Sequence, residues 1–343
     1  MATSFDVSRL KAGEAPPVPL GVRVRQEGEG EAVALSASGA LAYLPGTQQF
    51  DRRLVWVDRQ GRSEPLPAPV RGYVNVVISP DGRYAAVDVQ GPTANIWVHD
   101  LGRNTLTQLT SGGSSQAPVW TPDGKRVVYR GTRAGFRNLF WKPADGSGEE
   151  ERLTTDEGIH TPSSWSPDGK WLAFVEMTLT GGDLWVLPID GDRKPRVFLK
   201  TPFNEVSPRF SPDGQWLAYA SDESSRTEIY VRPFPGPGAK SQISTDGGIE
   251  PLWSRDGREL FYVNGDKMMA VDISTRPTLT AGTPRVLFEG RSERSPNFVT
   301  AYDVSADGRR FLKVRRAVAE QTAAQVNVVV NWLEELKARV PLQ

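Results

Sequence analysis

The chain has no cysteine and only two histidines, His99 and His160. The first absence excludes disulfides, thiolate metal sites, iron–sulfur clusters and cysteine nucleophiles. The second argues against zinc or iron centres built from several histidines. There is no excess of charge of either sign: Lys plus Arg and Asp plus Glu are both 41 in 343 residues, so the basic footprint of a nucleic-acid binder is missing. No run reaches the roughly 18 apolar residues of a bilayer-crossing helix, so no membrane insertion is expected. The opening Met1-Ala-Thr-Ser-Phe-Asp-Val lacks the basic and apolar regions of a secretory signal, which points to a cytoplasmic location. Kinase chemistry is also excluded, because there is no glycine-rich loop followed by a lysine strand, no His-Arg-Asp and no Asp-Phe-Gly. The acidic residues of Gly28-Glu29-Gly30-Glu31 would repel phosphate. No Gly-x-Ser-x-Gly elbow is present, and a hydrolase triad would have to use His160.

What the chain does have is turns and large aromatics, with 33 Gly, 27 Pro and 10 Trp. That suits an all-β chain of short strands. The corner Ser79-Pro80-Asp81-Gly82 recurs at Thr121–Gly124, Ser166–Gly169 and Ser211–Gly214, with weaker copies at Ser36–Gly39, Ser254–Gly257 and Ser305–Gly308. Successive glycines are 43, 42, 45, 45, 43 and 51 residues apart. Proline presets φ at the second turn position, Asp suits the third, and Gly takes the left-handed conformation at the fourth. An aromatic precedes four corners (Trp120, Trp165, Phe210, Trp253), and apolar triplets such as Ile96-Trp97-Val98 and Leu184-Trp185-Val186 mark third strands. Four short antiparallel strands per repeat of this length make a β-propeller blade. The expectation is a single domain over residues 1–343, a seven-bladed propeller, with six or eight blades as alternatives. Closure by strands from both termini would remove the sheet edge. Residues 1–24 are expected to pair with the blade containing Phe311-Leu312-Lys313-Val314. Gln325–Val330 is the other candidate for that blade's third strand. Residues 325–343 would hold a final strand and a short amphipathic helix over Trp332–Arg339, ended by Pro341.

In these corners the sequence resembles the TolB-type, WD-like propeller repeat family. Leu54–Gly61, Leu139–Gly146 and the tail Val326–Leu336 look more narrowly like the propeller at the C-terminus of certain bacterial serine/threonine kinases. That resemblance implies a sensing or protein-binding module, extracytoplasmic if it is the sensor part of such a kinase. It departs from the kinase layout because kinase domain and membrane span are absent from this sequence.

In a propeller the first strand of each blade lines the axis, so residues just upstream of the corners face a common mouth. Four to six positions before the corners stand Asn75, Gln116, His160, Glu205 and Glu250, with Asn204 adjacent and Asn297 further upstream. These are the candidate ligand-binding residues. Asn75, Glu205 and Glu250 are oxygen ligands that could hold Ca²⁺, and polar strand starts are equally what loops in water require. Turn chemistry accounts for the corner aspartates. Two functions follow. One is a non-catalytic module binding a protein, peptide or small polar ligand. The other is a metal-dependent hydrolase of esters, lactones or phosphoesters with its site in the central channel.

Overall fold

In the computed structural model, residues 52–133, 135–236, 238–290, 299–317 and 326–332 are described, with Glu334 and short pieces of the first 43 residues. The chain divides into two compact units, residues 50–317 and a unit made of residues 1–49 with 318–343.

Residues 50–317 form six blades, five of them laid down from first to fourth strand and the sixth built from both ends of this unit. Blade 1 is Gly72–Ile78, Tyr84–Gln90, Asn95–Asp100 and Thr105–Gln108. Blade 2 is Ser115–Trp120, Arg126–Arg133, Phe136–Pro143 and Glu151–Arg152. Blade 3 is Ile159–Trp165, Trp171–Met177, Gly182–Pro188 and Arg196–Leu199. Blade 4 is Glu205–Phe210, Trp216–Ser221, Glu228–Pro233 and Ser241–Gln242. Blade 5 is Ile249–Trp253, Glu259–Asn264, Lys267–Ser274 and Arg285–Glu289. Blade 6 is Tyr302–Val304, Arg310–Arg316, Arg52–Asp58 and Ser63–Pro65. One parallel pair, Arg137 with Ile159, links blades 2 and 3.

The corners fold as their chemistry dictates. The Ser79 hydroxyl donates to Asp81 Oδ1 at 2.6 Å and accepts the Tyr84 amide at 2.9 Å, while the Arg83 amide donates to Asp81 Oδ1 at 3.0 Å. The other five corners repeat this set from Thr121, Ser166, Ser211, Ser254 and Ser305. All six glycines have φ between 68° and 74°, the left-handed region open to a residue without Cβ. The Ser79 hydroxyl and the Arg83 amide hold the Asp81 carboxyl below its ordinary range.

Blades pack face to face through five apolar clusters. These join blade 6 to 1, 1 to 2, 2 to 3, 3 to 4 to 5, and 5 back to 6, which completes a ring. The aromatics before the corners belong to these seams. Trp120 donates to Val77 O at 2.9 Å and Trp253 to Arg209 O at 3.0 Å, each on the preceding blade. Trp165 stacks on Trp141 of blade 2 with centroids 6.4 Å apart.

Two expectations change. The seven blades become six, because the corner at residues 36–39 belongs to the other unit. There Val33–Leu35 pairs with Leu41–Tyr43, which pairs with Asn327–Val329. The third strand of blade 6 is Arg52–Asp58, in register from Arg52 opposite Arg316 to Asp58 opposite Arg310. It is neither residues 1–24 nor Gln325–Val330. Of residues 1–24, Phe5–Asp6 pairs with Lys11–Ala12, and the others lie outside the described residues. Most of the helix expected over residues 332–339 also lies outside the described residues. Among the described residues no helix is long and apolar enough to cross a membrane.

Candidate functional site

First strands begin on the face opposite the corners, and those of blades 1 to 5 carry the polar residues expected there. A bulge interrupts the pairing of most first strands just before the corner, for example between Gln116 and Val119 and between Val206 and Arg209. At that bulge Ala117, Ser207 and Glu250 have φ of 56°, 56° and 57°, which bends the strand and re-aims its side chains.

The bulge separates the candidate residues into two groups. Asn75 is buried and donates from Nδ2 to Thr300 O at 3.2 Å. Glu250 accepts the Ala301 amide at 2.9 Å on Oε2. Both therefore hold the segment entering blade 6. Gln116 accepts from Arg130, whose other nitrogen donates to Thr161 Oγ1 at 3.0 Å, tying blade 2 to blade 3. His160 and Glu205 lie further towards the strand starts and bond to the segments that lead into their blades. His160 Nδ1 is 2.9 Å from Thr154 Oγ1, and Nε2 is 3.3 Å from Asp156 Oδ1 and 3.8 Å from Glu176 Oε1. Burial holds its pKa below the ordinary value against the pull of Asp156. Gly158 makes room for this ring, since a Cβ there would lie 2.6 Å from His160 Nε2. Glu205 is buried and accepts from the Thr201 hydroxyl through Oε1, while Oε2 has no hydrogen-bond partner. Asn297 lies outside the described residues.

Asn75, Glu205 and Glu250 thus bond to three different residues, Thr300, Thr201 and Ala301. Among the described residues no three His, Asp or Glu side chains meet in a way that could hold a metal. Thr154, His160 and Asp156 stand in the order nucleophile, base and orienter. The Thr154 hydroxyl, however, is buried and accepts the Leu139 amide at 3.0 Å. Thr110 and Ser244 make the same bond to Ile96 and Ile229, so this hydroxyl is part of the repeat's strand pairing. His99 is buried elsewhere in blade 1, and burial lowers its pKa.

Sequence reasoning missed the buried charges near the axis. Arg209 donates to Ser163 O at 2.5 Å on blade 3 and to Thr300 Oγ1 at 2.5 Å before blade 6. Blades 4 and 6 are not neighbours, so this side chain links strands across the ring. Asp303 is buried and accepts the Ile78 amide of blade 1 at 2.7 Å. Burial raises its carboxyl, and Arg255 and Arg209 oppose this. Burial likewise lowers Lys313 to about 8. The signal was a charge inside an apolar strand, as in Ala301-Tyr302-Asp303-Val304 and Phe311-Leu312-Lys313-Val314.

Asp88 of blade 1 is another such charge. It is fully buried and accepts the Ala117 amide of blade 2 at 3.2 Å. Burial pushes its carboxyl up to about 7, opposed by the Ala117 amide, Arg130 and Arg52. The unfolded carboxyl titrates near 3.9, so between about pH 4 and pH 7 the folded state binds the extra proton. Stability should fall as pH rises through that window, by up to about 1.4 kcal/mol per pH unit. Urea unfolding across the window should show a flatter slope for Asp88→Asn than for the parent. Equal slopes would remove Asp88 as the cause.

The sequence model described as the TolB beta propeller domain matches residues 71–200 and 148–326. Among solved structures, a TolB candidate from Agrobacterium tumefaciens is 17% identical, with a TM-score of 0.66 over 78% of this chain and 99% of that one. TolB from Acinetobacter baumannii is 18% identical, with a TM-score of 0.50 over 83% of this chain and 67% of that one. An oligogalacturonate lyase from Vibrio parahaemolyticus is 13% identical, with a TM-score of 0.51 over 90% of this chain and 82% of that one. At such identities the likeness is one of fold, and the fold serves a lyase as well as TolB.

Proposed function

The chain belongs to the TolB β-propeller domain family, and we propose that it acts as a rigid, non-catalytic binding module. Its partner, a protein, peptide or small polar ligand, meets the face where the first strands begin. The observation that carries this reading is the set of polar side chains that bond one blade to another. Arg209 spans from blade 4 to Ser163 and Thr300, and Asn75, Glu250 and Asp303 are spent on backbone groups of neighbouring blades. Side chains used to lock strands together keep one geometry, and so the loops above them are presented on a stiff base. A hydrolase in the central channel would need a metal there. The groups proposed to hold Ca²⁺, Asn75, Glu205 and Glu250, point instead to Thr300, Thr201 and Ala301. The resemblance to kinase-associated propellers gives the module a sensor or scaffold role.

Thermal melts with added calcium, added zinc and a chelator test this choice, because a ligand that binds only the folded state raises the melting temperature. The binding-module reading expects the same temperature in all three, for the parent and for Glu205→Gln/Glu250→Gln. A calcium- or zinc-dependent rise that this double variant abolishes would overturn it in favour of the channel hydrolase.

A further inference from the structure

The junction of blades 3 and 4 carries features that strand locking does not explain. Ile159 pairs with Met177 and Glu205 with Ser221, so the loops over residues 178–181, 200–204 and 222–227 emerge on one face. Asn204 ties them together. Its side-chain oxygen accepts the Gly182 amide at 2.7 Å, and its own amide donates to Asp222 Oδ1 at 2.9 Å. The first loop is further fixed by Thr178, whose amide and hydroxyl donate to Gly181 O at 2.7 and 2.9 Å. This ordered hairpin holds Leu179 out, 107% exposed, and Phe203 on the next loop is 43% exposed. Phe136, at the corresponding hairpin of blade 2, is 38% exposed. Three large apolar side chains therefore stand in water on consecutive blades, on loops that are hydrogen-bonded in place.

Between them acids outnumber cations, although Arg137 is exposed beside Phe136 and Arg226, on the third loop, pairs with Glu228 and Asp246. Glu176, Asp183, Glu205, Asp222 and Glu223 lie on these loops or at their bases. Lys200 is engaged by Asp183 at 2.8 Å, and Lys240 is engaged by Glu223. Beneath the loops, Glu205 is fully buried and Oε2 has no hydrogen-bond partner, a state that favours any cation brought close. Burial raises the Glu176 and Glu205 carboxyls, and Asp183 adds to the rise in both, so these acids share one field.

We propose that this arc is a docking surface for a basic segment of a protein partner, with Lys or Arg residues alternating with apolar ones. The apolar side chains of the segment cover Leu179, Phe203 and Phe136, and its cations face the carboxylates between them. Complementary charge selects this occupant over an acidic one and speeds its encounter. The proposal rests on the binding-module reading and deepens it by naming the partner's chemistry.

The test uses the full chain and a fluorescein-labelled peptide of alternating lysine and leucine. Glutamate–leucine and serine–leucine peptides of equal length serve as controls, and fluorescence anisotropy gives the affinities. The lysine–leucine peptide should bind at least roughly tenfold tighter than either control and weaken in high salt, as an exposed charged interface must. Glu176→Gln/Glu223→Gln and Leu179→Ser/Phe203→Ser should each weaken it roughly fivefold or more, with unchanged melting temperatures. Equal or tighter binding of the glutamate peptide overturns the proposal, as does full affinity in both double variants. No binding by any of the three peptides also overturns it. None of these outcomes touches the binding-module reading, which stands or falls on the metal melts.

Discussion

Replacing Arg209 with methionine is expected to destabilise the propeller by roughly 3–5 kcal/mol, the range for breaking a buried charge arrangement by removing one member. Arg209 is fully buried and joins Ser163 of blade 3 to Thr300 before blade 6. Methionine fills much of the volume but bonds to neither. It also removes one of the cations that oppose the burial-driven rise of the Asp303 carboxyl, beside Arg255. For a unit of this size the loss corresponds to a melting temperature lower by about 10 °C. Arg209→Met/Asp303→Asn should recover part of the loss, because the carboxyl that lost this cation is gone. Thr300→Val, which removes one hydrogen bond, should cost only about 1 kcal/mol. A methionine variant melting with the parent would show that Arg209 does not hold the ring.

The second large effect concerns closure. Blade 6 takes its first two strands from residues 302–316 and its last two from residues 52–65. Val57, on the strand contributed from the start of the chain, is fully buried with Phe261, Phe288 and Phe311 between blades 5 and 6. Removing residues 1–61 should expose the edge of Arg310–Arg316 and half of that apolar seam, and the product should aggregate. Removing only residues 1–24 leaves Arg52–Asp58 in place and should spare the ring. Size-exclusion chromatography and circular dichroism distinguish the two truncations. A folded monomer from the longer one would refute closure by Arg52–Asp58.

The same comparison marks where the sequence could be read and where it could not. The third strand Leu54-Val55-Trp56 was recognisable as a strand, and so was Phe311–Val314, but nothing local says that they pair with each other. They lie over 250 residues apart in sequence, and residues 1–24 offered a similar apolar pattern. The corner at Ser36–Gly39 likewise announces a hairpin, and the flanking strands Val33–Leu35 and Leu41–Tyr43 do pair. A corner, however, specifies a turn and not the sheet to which the hairpin is added. Five polar residues before the corners were found by counting positions, yet they split into two groups. The count treated positions four to six before a corner as one level, and the bulges at Ala117, Ser207 and Glu250 separate them.

From the sequence alone came the all-β class, the repeat, each Asp-Gly corner and the burial of the aromatics before them. These rest on interactions within about six residues: the φ preference of Pro, the left-handed freedom of Gly, and Ser and Asp side chains bonding to nearby amides. Tertiary structure alone decided the number of blades in the ring, the strand that closes it and the use of charge at its centre. Asn75 meets Thr300 from 225 residues away and Arg209 meets it from 91. Such contacts depend on how six sheets converge on one axis, where a buried charge persists only if distant blades supply its partners.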